Sequence, residues 1–85
     1  MRKSKSYSPQ EKALLAKIGK RIRRLRLAIG LSQEKLAFKS GLDRTYIGSV
    51  ERGERNIAVI NLNKVCAALD ISIAELFNFD DEQSL

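Results

Sequence analysis

The stretch Gln33 to Gly53, QEKLAFKSGLDRTYIGSVERG, constrains this chain more than any other. Leu36 and Ala37 precede a three-residue corner, Ser40-Gly41-Leu42, and Ile47 and Val50 follow it. Apolar residues three apart, as Ile47 and Val50 are, mark one face of a helix, and Gly41 supplies the positive φ that a tight corner requires. Two short helices should therefore meet at an angle, with Leu42 turned inward and basic or hydroxylated side chains left outside. A β domain does not fit, because no period-2 alternation appears and the single proline, Pro9, stands at a helix start. The expected class is all-α, with five helices and an extended first one.

The flanking elements follow from the same kind of signal. Ser8-Pro9-Gln10-Glu11 reads as a capping box with proline at the first helical position, and Leu15, Ile18, Ile22, Leu25 and Ile29 form one apolar stripe on a helix ending at Gly30. Gly19 within it costs about 1 kcal/mol relative to alanine, so it marks either close packing or a weak point. Helix 2 should start at Ser32 as its cap and run to Lys39, burying Leu36 and Ala37 with Phe38 beside them. Asp43 is placed to cap helix 3 with its carboxylate, and Gly53 to end it. Helix 4 should span Val59 to Leu69, with Val59, Leu62, Val65, Cys66 and Leu69 on one face and Ala58 as a poor cap. Ser72-Ile73-Ala74-Glu75 is a second capping box, opening a short helix 5 through Ile73, Leu76 and Phe77. Residues 1–7 are expected to form a disordered basic arm, 8–79 the domain, and 80–85 an acidic tail.

Charge is unevenly spread. The net +6 conceals ten basic side chains in residues 1–26 against Glu11 alone, while five acids and no base follow from Asp70 onward. A protein that docks one face on a polyanion needs such an asymmetry, because lysine and arginine displace counterions condensed on phosphates. The competing reading is a solvated basic helix. Cys66 is the single cysteine, so an intrachain disulfide is excluded and a reducing cytoplasm fits. No run nears the roughly 18 apolar residues of a transmembrane helix, so no membrane partner is expected. With no histidine, no CxxC pair, no glycine-rich phosphate loop and no carboxylate pair in an apolar setting, neither catalysis nor a cofactor or metal is expected.

Function should then lie on the outward face of helix 3. Arg44 and Thr45 stand in its first turn, the part of a recognition helix that reaches base edges; arginine can pair with guanine O6 and N7, and threonine offers a methyl to thymine. Gly48 and Ser49, one turn on, are small enough to let the helix sit deep, and Ser49 is counted with the base readers. Gln33, Tyr46, Arg52, Arg55 and Asn56 are candidates for backbone contacts, with Lys39 beside them; for Tyr46 the competing reading is a core aromatic next to Ile47. Glu51 would repel phosphates as a lone acid, so it should pair with Arg26 of helix 1 in a partly buried structural ion pair. Ile57, Ile60, Phe77 and Phe79 could form a self-complementary patch, with Ile60, Phe77 and Phe79 as the dimer interface. Two recognition helices related by a two-fold axis would read a palindrome with half-sites about 34 to 36 Å apart.

Ser32-Gln33-Glu34-Lys35-Leu36-Ala37, Gly41-Leu42-Asp43-Arg44-Thr45-Tyr46-Ile47, Glu51-Arg52-Gly53 and Arg55-Asn56 resemble the Cro/C1 (XRE) helix-turn-helix family, and within it the controller proteins of bacterial restriction-modification systems. The resemblance covers about residues 18–77. It implies a lambda-repressor-like five-helix domain that dimerises through helices 4 and 5, binds palindromic double-stranded DNA near its own promoter, and activates or represses according to whether a second dimer occupies an adjacent operator. By position it implies base reading by Arg44 and Thr45, backbone contacts by Tyr46, Asn56 and Gln33, and an Arg26–Glu51 inter-helix pair. The longer helix 1 and the Ile57-Ala58 start of helix 4 depart from the family's pattern. Two other readings stay open: an antitoxin-like protein-interaction module with secondary DNA binding, and a non-specific DNA coater using residues 2–26.

Overall fold

The capping signals and apolar stripes resolve into five helices in a computed structural model that describes residues 6–80: α1 (Pro9–Ala28), α2 (Gln33–Ser40), α3 (Arg44–Glu51), α4 (Val59–Leu69) and α5 (Ile73–Leu76). Among the described residues there is no strand. Most of the expected basic arm and nearly all of the acidic tail lie outside them. Both capping boxes form, Ser8 with Glu11 and Ser72 with Glu75, each hydroxyl accepting one backbone N–H and each carboxylate another. Ser32 Oγ accepts from Lys35 N at 3.0 Å. Gly41 takes φ 72°, which sets the corner between α2 and α3.

Helix α3 packs against both α1 and α2, α2 also meets α4, and α5 closes on α1 and α4. Ile22, Leu36, Ile47, Val65, Cys66 and Leu76 are fully buried between them. Four residues are too few for a helix that stands alone; α5 is held by the burial of Leu76 and by Arg21. That arginine is only 4% exposed, and it donates from Nε to Leu76 O (3.1 Å) and from Nη2 to Glu75 O (2.7 Å), satisfying carbonyls at the helix C-terminus. Gly19 marks close packing. A Cβ there would collide with the Val50 carbonyl oxygen and stand 2.5 Å from that of Glu51, so α1 and α3 approach nearer than any other residue permits.

Several expectations for single residues need correction. Ile29 is exposed, because α1 ends at Ala28 and the chain turns away before the stripe is complete. Phe38 is 85% exposed; Leu36 and Ala37 already occupy the inward side of α2, and Phe38 lies round the helix from both. Val59 is exposed too, and Ile57, in the loop before α4, fills the core, so Ile57 leaves the proposed surface patch. Asp43 takes the N-cap position of α3 without a side-chain capping bond. Among the described residues no helix is long and apolar enough to cross a membrane.

Candidate nucleic-acid interface

Helix α3 has two unlike sides because its sequence does. Ile47 and Val50 anchor it to the core, while Arg44 and Thr45, in its first turn, are exposed. The left-handed backbone at Gly41 and the Leu42 N–H to Ala37 O bond (3.0 Å) fix the direction from which that first turn emerges. Two adjacent donors and acceptors thus stand at the tip of a short helix whose opposite face cannot rotate away.

Ser49 does not join them. It is only 9% exposed, and its hydroxyl donates to Tyr46 O at 2.8 Å. Its carbonyl is taken up as well, by Glu54 N at 2.9 Å where α3 closes past Gly53. A serine in a helix commonly satisfies itself on a preceding carbonyl, which withdraws it from the surface that spacing alone assigned to it.

The candidate backbone-contacting residues lie in varied settings. Tyr46 is half-buried against the core; its hydroxyl accepts from Asn61 Nδ2 at 3.3 Å, which leaves its own proton to donate elsewhere, and Arg55 sits 5.3 Å from its ring centroid. The core reading of Tyr46 is partly met, since its ring packs against the core with exposed Arg55 over it. Arg52 and Glu54 are exposed and form a two-point ion pair, both contacts 3.1 Å. That bond holds the Glu54 carboxyl below its usual range and the Arg52 guanidinium above its own. At such exposure the pair contributes little to stability, so phosphate can replace Glu54 as the partner of Arg52 at small cost. Asn56, Arg55 and Lys39 are exposed.

Behind this surface is an ion pair that leaves almost no carboxylate to solvent. Arg26 donates from Nε and Nη2 to Glu51 Oε2 (2.7 Å) and Oε1 (2.9 Å), and from Nη1 to Leu31 O (2.7 Å). One guanidinium thereby joins α1, the α1–α2 loop and the end of α3. Gln33, in the first turn of α2, adds a fourth contact by donating Nε2–H to Glu51 Oε1 at 3.0 Å. The sequence places Gln33 at the rim; it carries no sign of this link to Glu51. Nor does it separate the buried Arg21 from its exposed basic neighbours, since both are arginines in one run. The large exposed apolar residues on α4 and just after α5 are Val59, Ile60 and Phe77, and Phe79 is half-buried with its ring edge-on to Phe77 (5.8 Å) and Lys17 5.1 Å away.

A helix-turn-helix family model matches residues 22–76, the span from the middle of α1 to the end of α5. The chain is 44% identical over 62 residues to the control protein C.BamHI of Bacillus amyloliquefaciens, covering 72% of this chain and 76% of that one. It is 43% identical over 63 residues to the control protein C.MunI of a Mycoplasma species, covering 73% and 85%. Among solved structures, the restriction-modification controller protein C.AhdI from Aeromonas hydrophila is 60% identical with a TM-score of 0.75, over 76% of this chain and 98% of that one. The controller protein C.Esp1396I, solved as a tetramer in complex with its natural 35 base-pair operator, is 38% identical with a TM-score of 0.76, over 85% and 96%.

Proposed function

The chain belongs to the Cro/C1 (XRE) helix-turn-helix family, as a transcriptional regulator of the restriction-modification controller type, and from that premise we propose that it binds a palindromic operator as a homodimer with α3 in the major groove. The genes under its control are then those of a restriction-modification system and its own. The observation that carries the reading is the pairing of exposed Arg44 and Thr45 with buried Ile47 and Val50 on one eight-residue helix. Arg44 reads a guanine and Thr45 a thymine methyl. Gln33, Tyr46, Arg52, Arg55 and Asn56 hold the phosphates on either side, together with the open N–H groups at the start of α2. Arg26 and Glu51 hold α3 from behind. C.Esp1396I, with its tetramer on an operator, supports a second dimer on an adjacent site.

A homodimer follows from the apolar residues that α4 and α5 leave in water. Ile60 and Phe77, with half-buried Phe79, are the expected contact, and exposed Val59 extends it. Two copies reading one palindrome also give the specificity that one short helix lacks.

Selection of bound duplexes from a random pool tests the reading. The expected product is a palindrome whose affinity falls roughly 5- to 150-fold in Arg44→Ala, the 1–3 kcal/mol typical of one base-reading pair. Indifference of the selected duplex to Arg44→Ala would remove the base-reading role. Binding without any sequence preference, steeply weakened by salt, would instead favour a non-specific DNA coater.

A further inference from the structure

The buried ion pair and the DNA-facing rim meet at one atom, Glu51 Oε1. It accepts from Arg26 Nη2 at 2.9 Å and from Gln33 Nε2 at 3.0 Å. A carboxylate oxygen facing a guanidinium can only accept. The group that Gln33 turns toward it must therefore be its NH2, and the amide cannot lie the other way round. Gln33 Oε1 is accordingly directed away from Glu51, over Gly48, where a Cβ would stand 3.5 Å from it and 3.3 Å from Arg52 Nη1. The amide thus lies across Gly48, at a distance where even a Cβ would make ordinary van der Waals contact with it.

Resting on the operator-binding role proposed above, we infer that Glu51 is a positioning residue for DNA: it fixes the polarity of the Gln33 amide, so that one N–H is spent inward and the other is presented to a phosphate beside the α2 N-terminus. The N–H groups of Gln33 and Glu34 are open at that end, since Ser32 takes up Lys35 N and Leu36 N. The phosphate then meets a preset side-chain donor next to backbone donors, with no side-chain freedom to lose on binding. Glu51 is thus more than a structural partner of Arg26. It connects the brace behind α3 to the contact in front of it.

Two measurements test this. In the DNA-free wild-type protein, the Gln33 side-chain NH2 should have an NMR order parameter above about 0.6, unlike the freely moving amides of exposed side chains; a value below about 0.6 overturns the inference. In a double-mutant cycle on affinity for the selected duplex, Gln33→Ala should lose about tenfold, the scale of one hydrogen bond to a charged group, and by the same factor on every duplex sequence. Glu51→Gln leaves one oxygen for the three donors that the two carboxylate oxygens now accept, so the Gln33 amide is no longer held in one orientation. Its loss should match that of Gln33→Ala, and the double variant should be no weaker than either single one. Losses that multiply in the double variant would leave Glu51 with a structural role only. If Glu51→Gln does not fold, the wild-type order parameter decides. A wild-type protein that selects no duplex would defeat the operator reading itself, and the order parameter would still report whether Glu51 holds the amide.

Discussion

Gly19 sets the distance between α1 and α3, and the sequence leaves open whether it does so by design. Alanine there gains about 1 kcal/mol of helix propensity but drives a methyl into two backbone carbonyl oxygens, which cannot swing aside as a side chain can. Overpacking of this kind typically costs 1–3 kcal/mol, about as much as or more than the propensity gain. The Gly19→Ala protein is therefore expected to be less stable by up to about 2 kcal/mol, read as a lower urea midpoint at unchanged slope. Cys66 makes a second case at this scale. Burial pushes its thiol up, which disfavours the reactive thiolate. Iodoacetamide at pH 8 should then modify the native protein at least roughly tenfold more slowly than the urea-unfolded chain; equal rates would mean that the site opens. That Cys66 lies inside was legible from the α4 stripe. The placement of Ser49 was not, because its hydroxyl turns back to the Tyr46 carbonyl within its own helix, a choice that helical spacing does not encode.

Element boundaries were legible where chemistry marks them. Serines at positions 8, 32 and 72 all act as caps through their hydroxyls, and Gly41 and Gly53 both take positive φ. Where the marker was an acid alone, at Asp43, the position was right and the bond did not form. At the start of α4 the residue is Ala58, with the extended backbone of an N-cap (φ −67°, ψ 151°) and no side chain able to accept. Ala58→Ser puts an acceptor at that place on an exposed residue. It should stabilise the domain by about 1 kcal/mol, seen as a rise of roughly 4–8 °C in Tm for a chain of this size. No change would mean that the first turn of α4 is already satisfied in another way. The same element shows why apolar periodicity mislocates edges: Val59 and Ile57 are two residues apart, both aliphatic, and only the direction of the incoming loop decides which is buried.

Across the whole molecule, the charge split survives in altered form. Arg21 and Arg26 leave the exposed set, since both are buried and bonded to carbonyls or a carboxylate, while Lys20, Arg23 and Arg24 still line a shallow groove with Leu27 on the outer side of α1. The composition shows how many cations there are, and the fold decides which of them meet solvent. Ile60, 68% exposed on the protomer, is the residue whose alteration separates folding from pairing. Ile60→Glu should leave the helical circular dichroism intact and shift sedimentation at micromolar concentration from dimer to monomer, with operator affinity falling in parallel. A variant that stayed dimeric would move the interface elsewhere. Arg21 links the two ends of the sequence in a further sense. By clasping the last carbonyls of α5 from the middle of α1, it makes the placement of α5 conditional on closure of the entire domain. For the dimer proposed above, a chain still emerging from the ribosome, with α1 complete and α5 unmade, would have no assembled face to offer a sister copy, so the order of synthesis itself would suppress mispairing between half-built molecules.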